Sequence, residues 1–280
     1  MKLRIAEQEN EWINRDMPLT FEYEGQQIEA YEGDTISSAL WAADIKVLGR
    51  SFKYHRARGL LSFANHDVNA LMTDGVDTNI RADVIPVTHN MQLTAVNTDG
   101  GVLKDKGRYI DKISAFLPVG FYYKTFHKPK WMFPFWENKI RKAAGLGEVN
   151  FNYPRITRAK RYAHCDVLVA GGGGAGLASA LAAGRAGARV ILADENPWFG
   201  LGLLGENHTI NETIAYEWVE RTIDELRSLP NVTVVPNTTV IGRYEDGFIT
   251  MIETLRDSPN LPGERIPRYR FWKIRSKHMI

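Results

Sequence analysis

The sequence predicts an α/β protein of two domains, a small β-rich one followed by one built on a parallel βαβ unit. Three observations carry this. The apolar run Val167-Leu168-Val169-Ala170 leads straight into Gly171-Gly172-Gly173-Gly174-Ala175-Gly176, and a helix of small residues follows. Strand, G-x-G-x-x-G and helix, in that order, are what a dinucleotide-binding turn needs. Upstream, Phe21-Glu22-Tyr23 and Gln27-Ile28-Glu29-Ala30-Tyr31 alternate in polarity around Gly25, the pattern of a hairpin. Downstream, Asn211–Leu229 sets Ile214, Trp218, Ile223 and Leu226 on one helical stripe, and strand-like segments succeed it.

A chain of 280 residues has room for two cores, and 44% hydrophobic with 24% charged residues is ordinary for a globular protein. A net charge of +2 gives no basis for nucleic-acid binding or a membrane surface. The N-terminus carries no apolar signal region and no apolar stretch approaches a membrane span, so a cytoplasmic protein is expected. The single cysteine, Cys165, excludes an internal disulfide, a CxxC redox pair and an all-cysteine metal site. The seven histidines show neither HxH nor HExxH spacing, and there is no Gly-x-Ser-x-Gly elbow. No metal ligands and no acyl-transfer residues are therefore predicted, and no catalytic side chain is identifiable.

Taken in order, residues 1–17 read as an N-terminal arm and 18–100 as a β-grasp domain. In the latter, Thr35 is positioned to cap a short helix with Ile36, Leu40 and Trp41 on one face. Further strands are expected over Asn69–Met72, Asp83–Val87 and Met91–Ala95. Residues 101–163 form a connector with a helix over Lys139–Ala144, closed by Gly145-Leu146-Gly147. Between 104 and 161 there are 14 Lys/Arg against 4 Asp/Glu, interleaved with Phe121, Tyr122, Tyr123, Trp131, Phe133, Phe135 and Trp136. That mixture fits a solvated connector or a basic surface for a partner subunit or an anionic cofactor. Residues 164–280 are the Rossmann-type domain: helix Gly174–Ala186, strand Arg189–Asp194, helix Asn211–Leu229, then a meander with Asp246-Gly247 as its turn. The chain stops in what reads as the opening of another buried strand, so a domain truncated at its C-terminus, or one completed by a partner, is expected.

The nucleotide site is assigned to Gly171, Gly173, Gly174, Gly176, Asp194 and Glu195. Gly171 permits the turn out of the strand, Gly173 clears the way for a pyrophosphate, and Gly176 lets helix and strand approach. From Gly174 onward the helix start offers unpaired N–H groups and the positive end of its dipole. Asp194, 23 residues after Gly171, is placed to accept from ribose hydroxyls, and its charge opposes a 2′-phosphate. No Arg follows to offset it (Glu195-Asn196-Pro197 does), so NAD or FAD is favoured over NADP. Gly200 resembles the first glycine of the pair that often follows such an acid, with Leu201 in place of the second. His164 and Cys165 read as structural.

Several blocks resemble the α subunits of heterotetrameric sarcosine oxidases, over nearly the whole chain. They are Gly33-Asp34-Thr35 with Ser38-Ala39-Leu40; Gly49-Arg50-Ser51-Phe52-Lys53-Tyr54-His55-Arg56 with Arg58-Gly59; and Asn69-Ala70-Leu71. Others are Pro118-Val119-Gly120-Phe121-Tyr122-Tyr123-Lys124-Thr125-Phe126, Ile140-Arg141, Ala143-Ala144-Gly145-Leu146-Gly147 and His164-Cys165-Asp166-Val167-Leu168-Val169. The resemblance implies an N-terminal 2Fe-2S-ferredoxin-like domain and an FAD/NAD(P)-binding domain that carries NAD. It further implies β, γ and δ partner subunits, FAD on the β subunit, FMN at the α/β interface, and transfer of the substrate's one-carbon unit to tetrahydrofolate. A 2Fe–2S cluster needs about four ligands, whereas residues 1–163 contain no cysteine. The first domain is therefore expected to be clusterless, a docking module, and the folate-binding part lies outside this sequence. Two other readings stay open: an FAD-binding subunit of an amine or amino-acid dehydrogenase, and a non-catalytic assembly subunit.

Overall fold

A computed structural model describes residues 3–8, 11–61, 70–117, 120, 128–144, 147–153, 158–204, 209–255 and 267–280. The chain forms two compact units, Met1–Pro154 and Arg155–Ile280.

In the first unit, β1 (Asn14–Tyr23) and β2 (Gln26–Glu32) make the expected hairpin, turning at Glu24 and Gly25, both with positive φ. β1 starts inside the expected arm, because Asn14 already pairs with Glu32 before a bulge ahead of Pro18. Two short strands, β3 (Gly49–Arg50) and β4 (Ala57–Arg58), pair with each other. β5 (Leu71–Thr73), β6 (Ile80–Arg81) and β7 (Gln92–Ala95) complete a sheet of order β2-β1-β7-β5-β6, with β1 parallel to β7. Helix α1 (Ile36–Ala42) is capped by Thr35, whose hydroxyl accepts from the Ser38 amide at 3.2 Å. Its Ile36, Ala39 and Leu40 join Phe21, Tyr23, Met72 and Leu93 in one core.

Two expectations fail here. Trp41 does not join the buried face; it is exposed beneath the Lys46 ammonium, 3.6 Å from the ring centroid. Asp83–Val87 forms no strand: the Val84 and Ile85 amides both return to the Arg81 carbonyl in a turn, and the segment's sheet-like pairing is a single bridge from Pro86 to Thr35. The expected strand at 69–72 survives as β5; Asn69 lies outside the described residues, as do Gly145, Leu146 and all but Gly120 of the 118–126 block. The N-terminal arm is tied down by Arg4, whose guanidinium meets the fully buried Asp34 at 2.6 Å. The expected connector is partly helical. A 3₁₀ helix spans Lys106–Phe116, and α2 (Phe133–Ala144) begins six residues earlier than its sequence suggested.

In the second unit, β8 (Arg158–Ala170) runs into α3 (Gly174–Arg185) and then β9 (Val190–Ala193). A one-turn α4 (Leu201–Leu204) and a small hairpin, β10 (Thr209–Ile210) with β11 (Thr213–Ile214), precede α5 (Ala215–Ser228). The hairpin takes the first residues of the expected helix, because Asn211 and Glu212 turn the chain with positive φ. β12 (Val232–Val235), β13 (Thr238–Arg243), β14 (Phe248–Thr254) and β15 (Tyr269–Met279) give a six-stranded sheet of order β12-β9-β8-β15-β14-β13. β12, β9, β8 and β15 run parallel; the meander strands are antiparallel.

The expected domain boundary at 163/164 falls inside β8. That strand extends back to Arg158 because β15 lies along it from Tyr269 onward, and its polar outer face had read as connector. The Asp246-Gly247 turn forms as predicted, with Tyr244 N–H returning to the Phe248 carbonyl at 2.7 Å. Helices α3 and α5 pack their Leu177, Ala180, Val219, Ile223 and Leu226 onto Val169, Val190 and Leu192. Ile214, placed on that stripe by the sequence, is instead exposed at the helix start. The result brings the turn after β8, the start of α3 and the end of β9 together at the C-terminal ends of two neighbouring parallel strands.

A candidate dinucleotide seat

The glycines of the loop differ in what holds each position to glycine. Gly171 has φ +110°, a conformation side chains rarely adopt, while its N–H reaches the Ala193 carbonyl at 2.8 Å. At Gly176 a Cβ would run into the Gly171 carbonyl, with Val169 Cγ1 a further 3.4 Å neighbour, so only glycine lets α3 lie this close to the turn. Gly174 is tight against Leu203, whose Cδ1 lies 3.2 Å from a built Cβ. Gly173 differs. It is the N-cap of α3, no side chain caps the helix there, and a Cβ on it would meet nothing within 4 Å. The loop is thus closed on the protein side and open at Gly173, where first-turn N–H groups and the helix dipole favour an anion.

Asp194 stands at the end of β9 and is 8% exposed. Its Oδ2 accepts the Gly172 amide at 2.5 Å, and its Oδ1 accepts the Asn196 amide at 2.7 Å and the Asn196 side-chain Nδ2 at 2.8 Å. The carboxylate therefore fixes the glycine loop. Glu195 is half-buried and makes none of these bonds to the loop.

The sequence assigns the glycines and Asp194 to the site but does not show what supports them. Gly172 is glycine because the buried Phe199 ring occupies the space a Cβ would need. Gly200, at φ +74°, donates its N–H to the Gly172 carbonyl at 2.8 Å. Asn196, Phe199, Gly200 and Leu203 thus form a second wall that supports the loop. The four-glycine run was the one available signal, since a plain G-x-G-x-x-G requires no glycine at 172.

His164 is exposed and Cys165 is buried, where burial pushes its thiol up from the ordinary value. Neither hydrogen-bonds to the glycine loop among the described residues. Among the described residues, no three His, Cys, Asp or Glu side chains converge as a metal site would require, and no helix is long and apolar enough to cross a membrane.

Fold and site together define a ferredoxin-like domain followed by an FAD-dependent-oxidoreductase-type domain. Residues 16–98 match the family described as a 2Fe-2S iron-sulfur cluster binding domain, and residues 166–228 the family described as FAD dependent oxidoreductase. Along nearly its whole length the chain is similar to proteins named sarcosine oxidase subunit alpha, as its sequence blocks indicated. It is 40% identical over 94% of its length to "Sarcosine oxidase subunit alpha" of Rhizobium meliloti (strain 1021). It is 31% identical over its full length to the protein of that name from Corynebacterium sp. (strain U-96). The chain spans only about a quarter of these relatives, 27% and 25% of their lengths. Among solved structures, L-proline dehydrogenase from P. horikoshii shares the fold with a TM-score of 0.55 at 17% identity, covering 95% of this chain and 40% of that one.

The two implied cofactors fare differently against the residues present. The glycine cradle and its fixed acid fit an adenine dinucleotide. The matched ferredoxin-like segment does not fit a cysteine-ligated cluster, because residues 16–98 contain no cysteine and the single one, Cys165, lies in the other unit.

Proposed function

We propose that this chain is the nucleotide-seating segment of a sarcosine-oxidase-type α subunit, with NAD bound at Gly171, Gly173, Gly174, Gly176 and Asp194. One observation carries the reading: a loop sterically sealed at Gly172 and Gly176 but open at Gly173, in front of uncapped helix amides. In this arrangement the α3 N-terminus binds the pyrophosphate, Asp194 accepts from the adenosine ribose, and the same carboxylate opposes a 2′-phosphate. A nicotinamide or flavin bound here supplies hydride chemistry; the residues named above only bind and orient. The relatives' names support placing the chain in a multi-subunit oxidoreductase complex. That complex is proposed to have β, γ and δ partner subunits, FAD on the β subunit and FMN at the α/β interface, and to oxidise sarcosine with transfer of its one-carbon unit to tetrahydrofolate. The clusterless ferredoxin-like unit then serves docking, in the cytoplasm.

FAD is the second reading, favoured by the family match over residues 166–228. Calorimetric titration with NAD, NADP and FAD separates the possibilities. Tight NAD binding, NADP weaker by about tenfold or more, and a colourless protein support NAD. A yellow protein with a flavin spectrum supports FAD. Failure of all three to bind overturns the seat and leaves the assembly-subunit reading.

A further inference from the structure

The inference below rests on the seat just proposed and concerns how many ribose hydroxyls Asp194 holds. A carboxylate offers about four lone-pair sites, two on each oxygen. Three are taken: Oδ1 by the main-chain and side-chain amides of Asn196, Oδ2 by the Gly172 amide. Oδ1 is full, and Oδ2 keeps one site. The arrangement is pinned from behind. Asn196 is itself 8% exposed, and its carbonyl accepts the Asn237 N–H at 2.9 Å. The Asp194 carbonyl accepts the Thr238 N–H at 2.6 Å, so both residues are anchored to the turn between β12 and β13. Rotating the carboxylate to expose Oδ1 would break bonds to buried groups on both sides, each a costly loss.

We propose that Asn196 is a specificity-setting positioning residue: by saturating Oδ1 it restricts Asp194 to a single ribose hydroxyl, accepted at the same Oδ2 that holds the Gly172 amide. Two adjacent hydroxyls gripped by one carboxylate need two free acceptor sites, and this carboxylate provides one. Ribose contact and glycine-loop conformation are then coupled through one atom.

The test uses ADP, the half that NAD and FAD share, with 2′-deoxy-ADP and 3′-deoxy-ADP, titrated calorimetrically into the full chain. One deoxy analogue should lose about tenfold or more in affinity, and the other should stay within about twofold of ADP. Equal weakening by both, or by neither, overturns the proposal while leaving the seat intact. Absence of ADP binding overturns the seat and this inference with it. In Asn196→Ala the side-chain donor is gone and Oδ1 regains a site, so both analogues should now bind more weakly than ADP. An unchanged ratio in a folded Asn196→Ala variant also overturns the proposal. The wild-type comparison decides the matter even where that variant does not fold.

Discussion

Substituting Gly176 and Gly173 separately should divide folding from binding at this loop. In Gly176→Ala the new methyl meets the Gly171 carbonyl, whose carbon already lies 3.0 Å from a built Cβ with the oxygen nearer still. Carbon–oxygen contacts run at about 3.3 Å or more, and the obstacle is backbone, so α3 must retreat from the turn by roughly 1 Å or more. Overpacking of this kind costs about 1–3 kcal/mol, and a backbone clash puts Gly176→Ala near the top, at about 3 kcal/mol. Gly173→Val meets no protein atom within 4 Å at its Cβ and keeps an extended φ of −70° and ψ of −178°. The cap position limits its stability loss to about 1 kcal/mol, while the branched side chain fills the opening at the helix start. Nucleotide affinity should fall by about 2 kcal/mol or more, roughly thirtyfold. Hydrogen exchange read on peptides of β8, α3 and β9 reports the stability change within the second unit, and calorimetry reports the affinity. A Gly176→Ala chain with native protection, or a Gly173→Val chain with native affinity, refutes the steric reasoning.

Three other outcomes follow from the same physical account. Arg4→Ala strands the fully buried Asp34 carboxylate without its guanidinium and should cost the first unit about 3 kcal/mol in denaturant unfolding; unchanged stability contradicts a role for the arm. Asp166 accepts from Arg189 and Lys277, which hold its carboxyl well below the usual carboxylate range. Because the native pKa is depressed, this stability is present above the ordinary value near ~4 and is lost as pH falls below it. Asp166→Asn should therefore lose the part of the acid-unfolding slope below about pH 4, and an identical slope in the variant counts against the ion pair. Iron and sulfide reconstitution should give no 2Fe–2S spectrum, since residues 1–163 supply no thiolate; a stable cluster signal reverses the docking-module reading.

Much of this was legible in the residues. Local signals with fixed chemistry survived contact with the structure: Thr35 as a cap, Gly25 and Asp246-Gly247 as turns, and the glycine run as a strand-to-helix junction. What was missed depended on distant partners. Arg158–Ala163 looked like a polar connector because the strand that recruits it, β15, lies over a hundred residues away. Trp41 has the right spacing for a buried helical face, yet the core closes over Leu40 and Ile36 and leaves the ring to Lys46. Asp83–Val87 has strand composition, but the Arg81 carbonyl captures two of its amides. At the site, Asp194 is assigned by its distance from Gly171, whereas Asn196 and Phe199 act through contacts that no spacing rule encodes.

A nucleotide lying against Gly173 should be present in the protein as it is made. Protein purified under native conditions, with its partner subunits, is denatured and the released small molecules are identified by chromatography and mass. The prediction is one NAD for each copy of this chain in the wild-type protein and none in Gly173→Val. Wild-type protein that releases no adenine dinucleotide, or a Gly173→Val protein that releases as much as wild type, contradicts it.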